Sequence, residues 1–264
     1  MALSRKLQEK LDKLLSFLKG KTVITAYSGG LDSSLLAYLA QQQAKKSLAV
    51  FIENELISET ELIDAKNLAK RYDFSLKIIN LDLLQNEKFS QNPRDRCYIC
   101  KKKIFENILE LKDELNYDII IEGSNIDDLS DFRPGMKALD ELKINSPYID
   151  ANINKHDIRI LSEHFKLPTA SKPSMACLAS RISTGQPVTK KKLKMIDQAE
   201  QFLKDTYNLQ QIRVRLHKNN LARIEFEKRD FPQIFQIDAI ETIRKRLKKI
   251  GFLYITIEIG RAHV

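Results

Sequence analysis

Six consecutive residues, Ser28-Gly-Gly-Leu-Asp-Ser33, combine the types that a phosphate cradle needs. Gly29 and Gly30 let the backbone turn sharply and approach a ligand without a Cβ clash. A helix starting here would offer unpartnered N–H groups and the positive end of its dipole to an anion. Ser28 and Ser33 can add hydroxyl donors. Asp32 has the wrong sign for phosphate alone and the right one where Mg²⁺ bridges the two. The string is not a Walker loop, because Gly-Lys-Ser/Thr is missing, and it does not match the dinucleotide fingerprint. The plainer alternative is a glycine-rich turn in which Asp or Ser caps a helix.

Cys97, Cys100 and Cys177 make the second candidate set. Three is an odd number, so they form no closed set of disulfides; metal ligation, thiol chemistry or plain burial are the alternatives. Arg96-Cys-Tyr-Ile-Cys-Lys-Lys102 puts two thiols at a helix start, where they can share a metal and where the helix terminus lowers their pKa. Cys177 lies in Lys172-Pro-Ser-Met-Ala-Cys-Leu-Ala-Ser-Arg181, a loop that presents a ligand readily. Three thiolates around a [4Fe–4S] cluster leave one iron open to an external ligand. A zinc site with an open position fits the same residues. So do a redox pair and unligated thiols, and spacing alone does not separate the three.

The elements that would position these residues follow from periodicity. Leu7, Leu11, Leu14, Leu15 and Leu18 make one stripe of a helix over Ser4–Leu18. Strands are expected at 22–27, 48–52, 76–81 and 118–122, alternating with helices at about 32–45, 58–72 and 97–115. Ser58 with Glu61 three residues on reads as a capping box. That alternation predicts a doubly wound parallel sheet, with the glycine loop at the carboxyl end of its first strand, where ligands bind in such sheets. Residues 123–134 and 171–187 read as loops, with a helix at 156–165 between them. Beyond them a helix at 189–206, alternating strands at 212–216 and 222–226, a helix near 231–250 and a strand at 254–259 form a smaller α+β unit. A boundary near Gly185–Thr189 divides the chain into a nucleotide domain, 1–186, and a substrate or oligomerisation domain, 187–264.

The chain has 264 residues, 43% hydrophobic and 30% charged, with a formal charge of +9. That is ordinary for a folded protein. The N-terminal stretch is too polar for a signal peptide or a membrane span, so a cytoplasmic location is expected. Residues 187–264 hold 17 Lys and Arg against 9 Asp and Glu, and the rest is nearly balanced. A basic last third suits an anionic partner, nucleic acid or a phosphorylated small molecule, or simply solvated helix faces.

Ser28-Gly-Gly-Leu-Asp-Ser33 resembles the PP-loop of the ATP pyrophosphatase superfamily, which holds the pyrophosphate end of ATP while the α-phosphate is attacked. Arg96-Cys-Tyr-Ile-Cys-Lys101, Glu122-Gly-Ser-Asn-Ile-Asp-Asp128, Asp131-Phe-Arg-Pro-Gly135, Cys177-Leu-Ala-Ser-Arg181 and Arg213-Val-Arg215 narrow the likeness. In order along the chain, they resemble the LarE family of ATP-dependent sulfur transferases. The resemblance implies adenylylation of a carboxylate of pyridinium-3,5-biscarboxylic acid mononucleotide, then thiocarboxylate formation, in nickel-pincer nucleotide synthesis. It implies ATP and Mg²⁺ on Ser28, Gly29, Gly30, Asp32 and Ser33. Some relatives sacrifice the sulfur of a cysteine at the position of Cys177; others hold a [4Fe–4S] cluster on three cysteines. All three are present here, which implies the cluster type, with an external sulfide donor. Lys101, Ser180, Arg181, Arg213 and Arg215 would then bind the substrate phosphate, and Glu225 would lie near a metal or the substrate. Arg213 and Arg215 alternate on a strand, so they share a face, and that face could equally be charged and solvated. Asp127, Asp128, Asp131 and Arg133 would shape a loop over the nucleotide. The short ending Gly260–Val264 departs from the longer tail expected in relatives, which bears on homo-oligomer assembly. A tRNA thiolase, a nucleotide-binding iron or redox regulator, and an ammonia-using amide synthetase are rival functions.

Overall fold

A computed structural model describes residues 3–130, 134–173, 176–209 and 211–258. Asp131, Arg133 and the 260–264 ending lie outside the described residues. Contacts divide the chain into two units. The first comprises Met1–Asn54, Glu59–Leu83 and Asp95–Lys172; the second comprises Glu55–Ser58, Leu84–Arg94 and Pro173–Val264. By contact, then, the second unit takes in residues 173–186 as well as the basic last third.

The first unit is built on four parallel strands: β1 (Thr22–Ala26), β2 (Lys46–Glu53), β3 (Leu76–Asn80) and β4 (Ile119–Ile121). Their order is β3-β2-β1-β4. Successive strand residues face opposite ways, and here both faces are apolar. Val23 and Ile121 join leucines of the helices Arg5–Leu18 and Leu31–Gln43 in one core. Ile24, Val50 and Ile120 join Phe105, Ile108 and Leu111 of the helix Arg96–Glu114 in another. A sheet buried on both sides is the doubly wound arrangement expected from the sequence. Ser4 caps the first helix by accepting from the Leu7 N–H. The chain adds β2 and β3 on one side of β1, then returns to place β4 on the other. The strand order therefore reverses between β1 and β4, and the crevice at their carboxyl ends is where such sheets bind ligands.

The second unit carries a mixed sheet of β5 (Ile212–His217), β6 (Leu221–Phe226) and β7 (Tyr254–Ile257). β5 and β6 pair antiparallel through a turn in which Asn219 and Asn220 take positive φ, a conformation asparagine tolerates. β7 runs parallel to β6, so a crossover is required, and the helix Ile237–Ile250 lies within it. Ile212, Val214 and Leu216 are buried, and the helix Lys190–Tyr207 packs on β5.

Several helical segments differ from expectation, including short helices at Glu87–Ser90 and Pro147–Asp150. The helix expected over 231–250 is broken into a turn, Phe231–Ile234, and the helix Ile237–Ile250, with Gln236 extended between them. Pro232 fits only the first turn of a helix, which fixes where the short piece begins. A helix at Pro134–Glu141 stands where none was anticipated, again with proline at its start. No helix among the described residues is long and apolar enough to cross a membrane.

Candidate functional site

The loop after β1 is shaped by its glycines. Gly29 has φ +69°, and a Cβ there would stand 2.8 Å from Ala65 Cβ. Gly30 is the N-cap of the helix Leu31–Gln43 and supplies no capping side chain, so that role is left open in the first turn. The Ser28 N–H donates to Ser33 Oγ at 3.0 Å, and the two hydroxyls lie 2.9 Å apart. Across the crevice, Gly123 follows β4. A Cβ on Gly123 would meet Asp32 Cβ at 2.9 Å and the Ser33 nitrogen at 3.2 Å, so only glycine allows this approach. The cleft between them measures about 280 Å³ and is lined by Ser28, Asp32, Ser33, Lys101, Glu122 and Asp128, among others. That is near the lower end for small-molecule sites, about 300 Å³.

The cleft's charges are only partly matched. Asp32 Oδ2 accepts from Lys155 Nζ. Asp32 Oδ1 is buried and accepts from nothing among the described residues. An orphaned buried acceptor costs about 1–3 kcal/mol, a cost that a bound cation would remove. Carboxylate and hydroxyl oxygens are the donors Mg²⁺ takes, so these residues fit Mg²⁺ with ATP. Tyr148, fully buried, donates its hydroxyl to the Asp32 carbonyl at 3.0 Å. Burial, and then the Asp32 charge, raise its pKa well above the phenol range. Glu122 is buried and accepts from the Ser124 N–H at 3.0 Å and the Ser124 hydroxyl at 2.8 Å, with Lys101 Nζ 3.8 Å away. Asp128 accepts from the Asn125 N–H, and Asp127 from the Lys155 N–H, so both acids hold loop backbone in place. Lys172 Nζ lies 3.2 Å from the Gly29 carbonyl and 3.2 Å from Asp64 Oδ2.

Cys97 and Cys100 belong to the first unit, on the first turn of the helix Arg96–Glu114. Three residues apart, they share one helix face. That spacing fits two ligands of one metal or cluster. Cys177 belongs to the second unit, is exposed, and leads into the turn Leu178–Arg181. No disulfide joins the three. Among the described residues, no group of three or more His, Cys, Asp or Glu side chains is gathered as a metal site.

The second unit places Arg213 and Arg215 on one face of β5, opposite Glu225 and Arg223 of β6 in register. Glu225 is buried; its Oε1 accepts from Arg215 Nε and from Arg223 Nη2, while Oε2 has no partner among the described residues. Burial pushes the Glu225 carboxyl up, but bonding to and charge from Arg215 and Arg223 outweigh it and hold the pKa below the ordinary value. Burial, then the charges of Arg181 and Arg215, lower the pKa of Arg213. A bound anion would relieve that crowding of positive charge. Arg181 is different. It is buried and forks onto Glu200, Nε to Oε1 at 2.9 Å and Nη2 to Oε2 at 3.1 Å. Its Nη1 donates to the Ala176 carbonyl, to the Cys177 carbonyl at 3.2 Å and to Ser180 Oγ at 3.1 Å. Ser180 also gives its carbonyl to Arg215 Nη1 at 3.1 Å.

Sequence reasoning passed over Glu200, Lys155 and Lys172. Glu200 left a signal, since it sits on the buried stripe with Ile196, Ala199 and Leu203. The two lysines left none, because they reach the loop from more than a hundred residues away.

Residues 3–107, which include the glycine loop, match the family described as NAD synthase. Along its whole length the chain is 37% identical to the uncharacterized protein MJ0830 of Methanocaldococcus jannaschii, with 100% of both covered. It is 33% identical to the uncharacterized protein slr1717 of Synechocystis, over 96% of this chain and 94% of that one. It is 27% identical to the pyridinium-3,5-bisthiocarboxylic acid mononucleotide synthase of Lactiplantibacillus plantarum, over 96% of this chain and 92% of that protein. Together with the glycine loop at a strand-order reversal, these matches show that the chain belongs to one family with MJ0830 and slr1717 and is an ATP-dependent sulfurtransferase on a PP-loop fold, similar over nearly its whole length to the Lactiplantibacillus synthase.

Proposed function

We propose that this protein adenylylates a carboxylate of pyridinium-3,5-biscarboxylic acid mononucleotide and converts it to a thiocarboxylate, as in nickel-pincer nucleotide synthesis. The alignment with the Lactiplantibacillus synthase supports the substrate. The observation that carries the chemistry is Asp32, whose Oδ1 is buried and unpartnered beside a glycine-shaped loop at the head of a helix.

A carboxylate is a poor electrophile with no leaving group. Its oxygen therefore attacks the α-phosphorus of ATP held on residues 28–33, and the bond to pyrophosphate breaks. Sulfide then attacks the carbonyl carbon of the acyl-adenylate, and the bond to AMP breaks. Ser28, Ser33 and the helix N–H groups would orient the polyphosphate, and Asp32 would hold Mg²⁺. Fixing both reactants in one geometry contributes about 7–11 kcal/mol in well-oriented cases. For the substrate phosphate, Lys101, Ser180, Arg181, Arg213 and Arg215 are the proposed contacts. Arg181 and Arg215 also hold Glu200 and Glu225, and Arg213 shares the β5 face with Arg215, where burial and the charges of Arg181 and Arg215 lower its pKa.

The finer proposal is that Cys97, Cys100 and Cys177 hold a [4Fe–4S] cluster, which when bound would supply the sulfide; a sacrificial Cys177 is the competing source. A domain division at 186–187, a cytoplasmic location and a homo-oligomer belong to the same proposal. Pyrophosphate release from ATP is expected only when the pyridinium dicarboxylate mononucleotide is added. Release that needs tRNA or ammonia instead would overturn the assignment. Anaerobic protein is expected to contain about four irons per chain, and full thiolation by a Cys97→Ala protein would exclude the cluster.

A further inference from the structure

The loop Ser28–Ser33 contains no lysine or arginine, and Asp32 adds a negative charge to a site meant for a polyphosphate. Two ammonium groups reach it from elsewhere in the same unit. Lys172 Nζ rests between the Gly29 carbonyl and Asp64. Lys155 Nζ rests on Asp32 Oδ2, the carboxylate a metal would require. The Lys155 backbone is fixed: its N–H donates to Asp127 Oδ2 at 2.9 Å, and it follows Asn154, the cap of a reciprocal capping box with Asp157. Its side chain is 33% exposed, so the ammonium can swing on a flexible four-carbon stem. The lysine leaves Asp32 half satisfied, since Oδ1 is still without a partner.

We propose that Lys155 is a charge-exchange residue, pairing with Asp32 while the cleft lacks nucleotide and passing to the pyrophosphate end of Mg–ATP when it binds. This rests on the reading of the loop as an ATP site. One ion pair, Lys155 with Asp32, is replaced by two, Asp32 with Mg²⁺ and Lys155 with phosphate. Before nucleotide arrives, the lysine competes with metal for Asp32; afterwards it does not. Metal and nucleotide thus tighten each other's binding, as linkage requires.

The test titrates Mn²⁺ into the full-length protein, with and without α,β-methylene-ATP, following unbound Mn²⁺ by electron paramagnetic resonance. Lys155→Met keeps the stem and removes the charge. It is expected to tighten nucleotide-free Mn²⁺ binding at least roughly fivefold and to weaken analogue binding at least roughly tenfold, about 1.4 kcal/mol. Lys155→Arg restores the weak nucleotide-free Mn²⁺ binding. Opposite signs separate exchange from a merely structural role, which would move both affinities the same way. A Lys155→Met protein with both affinities unchanged, or both weakened, overturns the proposal. So does wild-type protein in which the analogue fails to tighten Mn²⁺ binding beyond its own affinity for the ion, a result that needs no variant to fold. Wild-type protein that binds no analogue at all would instead sink the ATP reading of the loop.

Discussion

The glycine loop of the first unit and the arginine face of the second treat their polar groups in opposite ways. In the loop, the backbone is fixed while key polar atoms stay unmatched: Asp32 Oδ1 has no partner, and Gly30 provides no cap. On the arginine face most of the charge is already spent inside the protein. Arg181 is locked to Glu200, and Arg215 and Arg223 share Glu225. The same residue types that would bind a phosphate can serve to hold a fold, and burial with pairing tells the two apart. A buried pair broken from one side leaves an uncompensated charge; an exposed or half-matched group leaves only a weaker site.

The largest expected effect tests the structural half of this contrast. Arg181→Ala strands Glu200, which also accepts from the Val214 N–H at 2.9 Å. It is expected to cost about 3–5 kcal/mol of stability in a urea melt. If Arg181→Ala melts like the wild type and only substrate binding suffers, the contrast is broken. The next tests the functional half. Gly123→Ala brings a Cβ to 2.9 Å from Asp32 Cβ and 3.2 Å from the Ser33 nitrogen. The loop must shift, and a misplacement of about 1 Å costs on the order of a hundredfold in rate, seen in pyrophosphate release. Arg213→Ala is expected to raise the KM for the mononucleotide roughly tenfold, as for a lost charge-assisted hydrogen bond of about 1.5–3 kcal/mol. It should destabilise the protein far less than Arg181→Ala; equal melts for the two would erase the distinction between binding and bracing arginines.

The smallest effect concerns pH. Burial, then the charges of Arg223 and Arg215, hold the His217 pKa below its ordinary 6.5. The unfolded chain therefore takes up the proton first. Stability is full above about 6.5 and declines as the pH falls below it. His217→Gln is expected to flatten that part of a melting-temperature profile against pH, and an unchanged slope would count against the crowded-cation picture of this face.

Much of the first unit was legible because its signals are local. The strand-loop-helix around Ser28–Ser33 occupies adjacent residues, and each strand carries its own apolar run. The cysteine pair was legible for the same reason, as two thiols on one helical turn. What was hidden depends on distance. Lys155 finds Asp32 across 123 residues, and no periodicity announces it. Arg181 was grouped with the phosphate ligands because an arginine in a loop looks available; its partner Glu200 lies on the buried stripe of a separate helix. Pro134 was passed over as a helix start, since proline discourages a helical assignment unless its place in the first turn is recognised; the helix start at Phe231 was read, and the break at Gln236 was not.

The grip of Arg181 on the carbonyls of Ala176 and Cys177 has one more result. Those acceptors belong to the main chain, not to the thiol. Alkylation, oxidation or outright removal of Sγ leaves the anchoring guanidinium with the same oxygens to hold. The hold of Arg181 on this segment is therefore indifferent to the chemical state of the Cys177 sulfur, because it is made entirely through peptide oxygens.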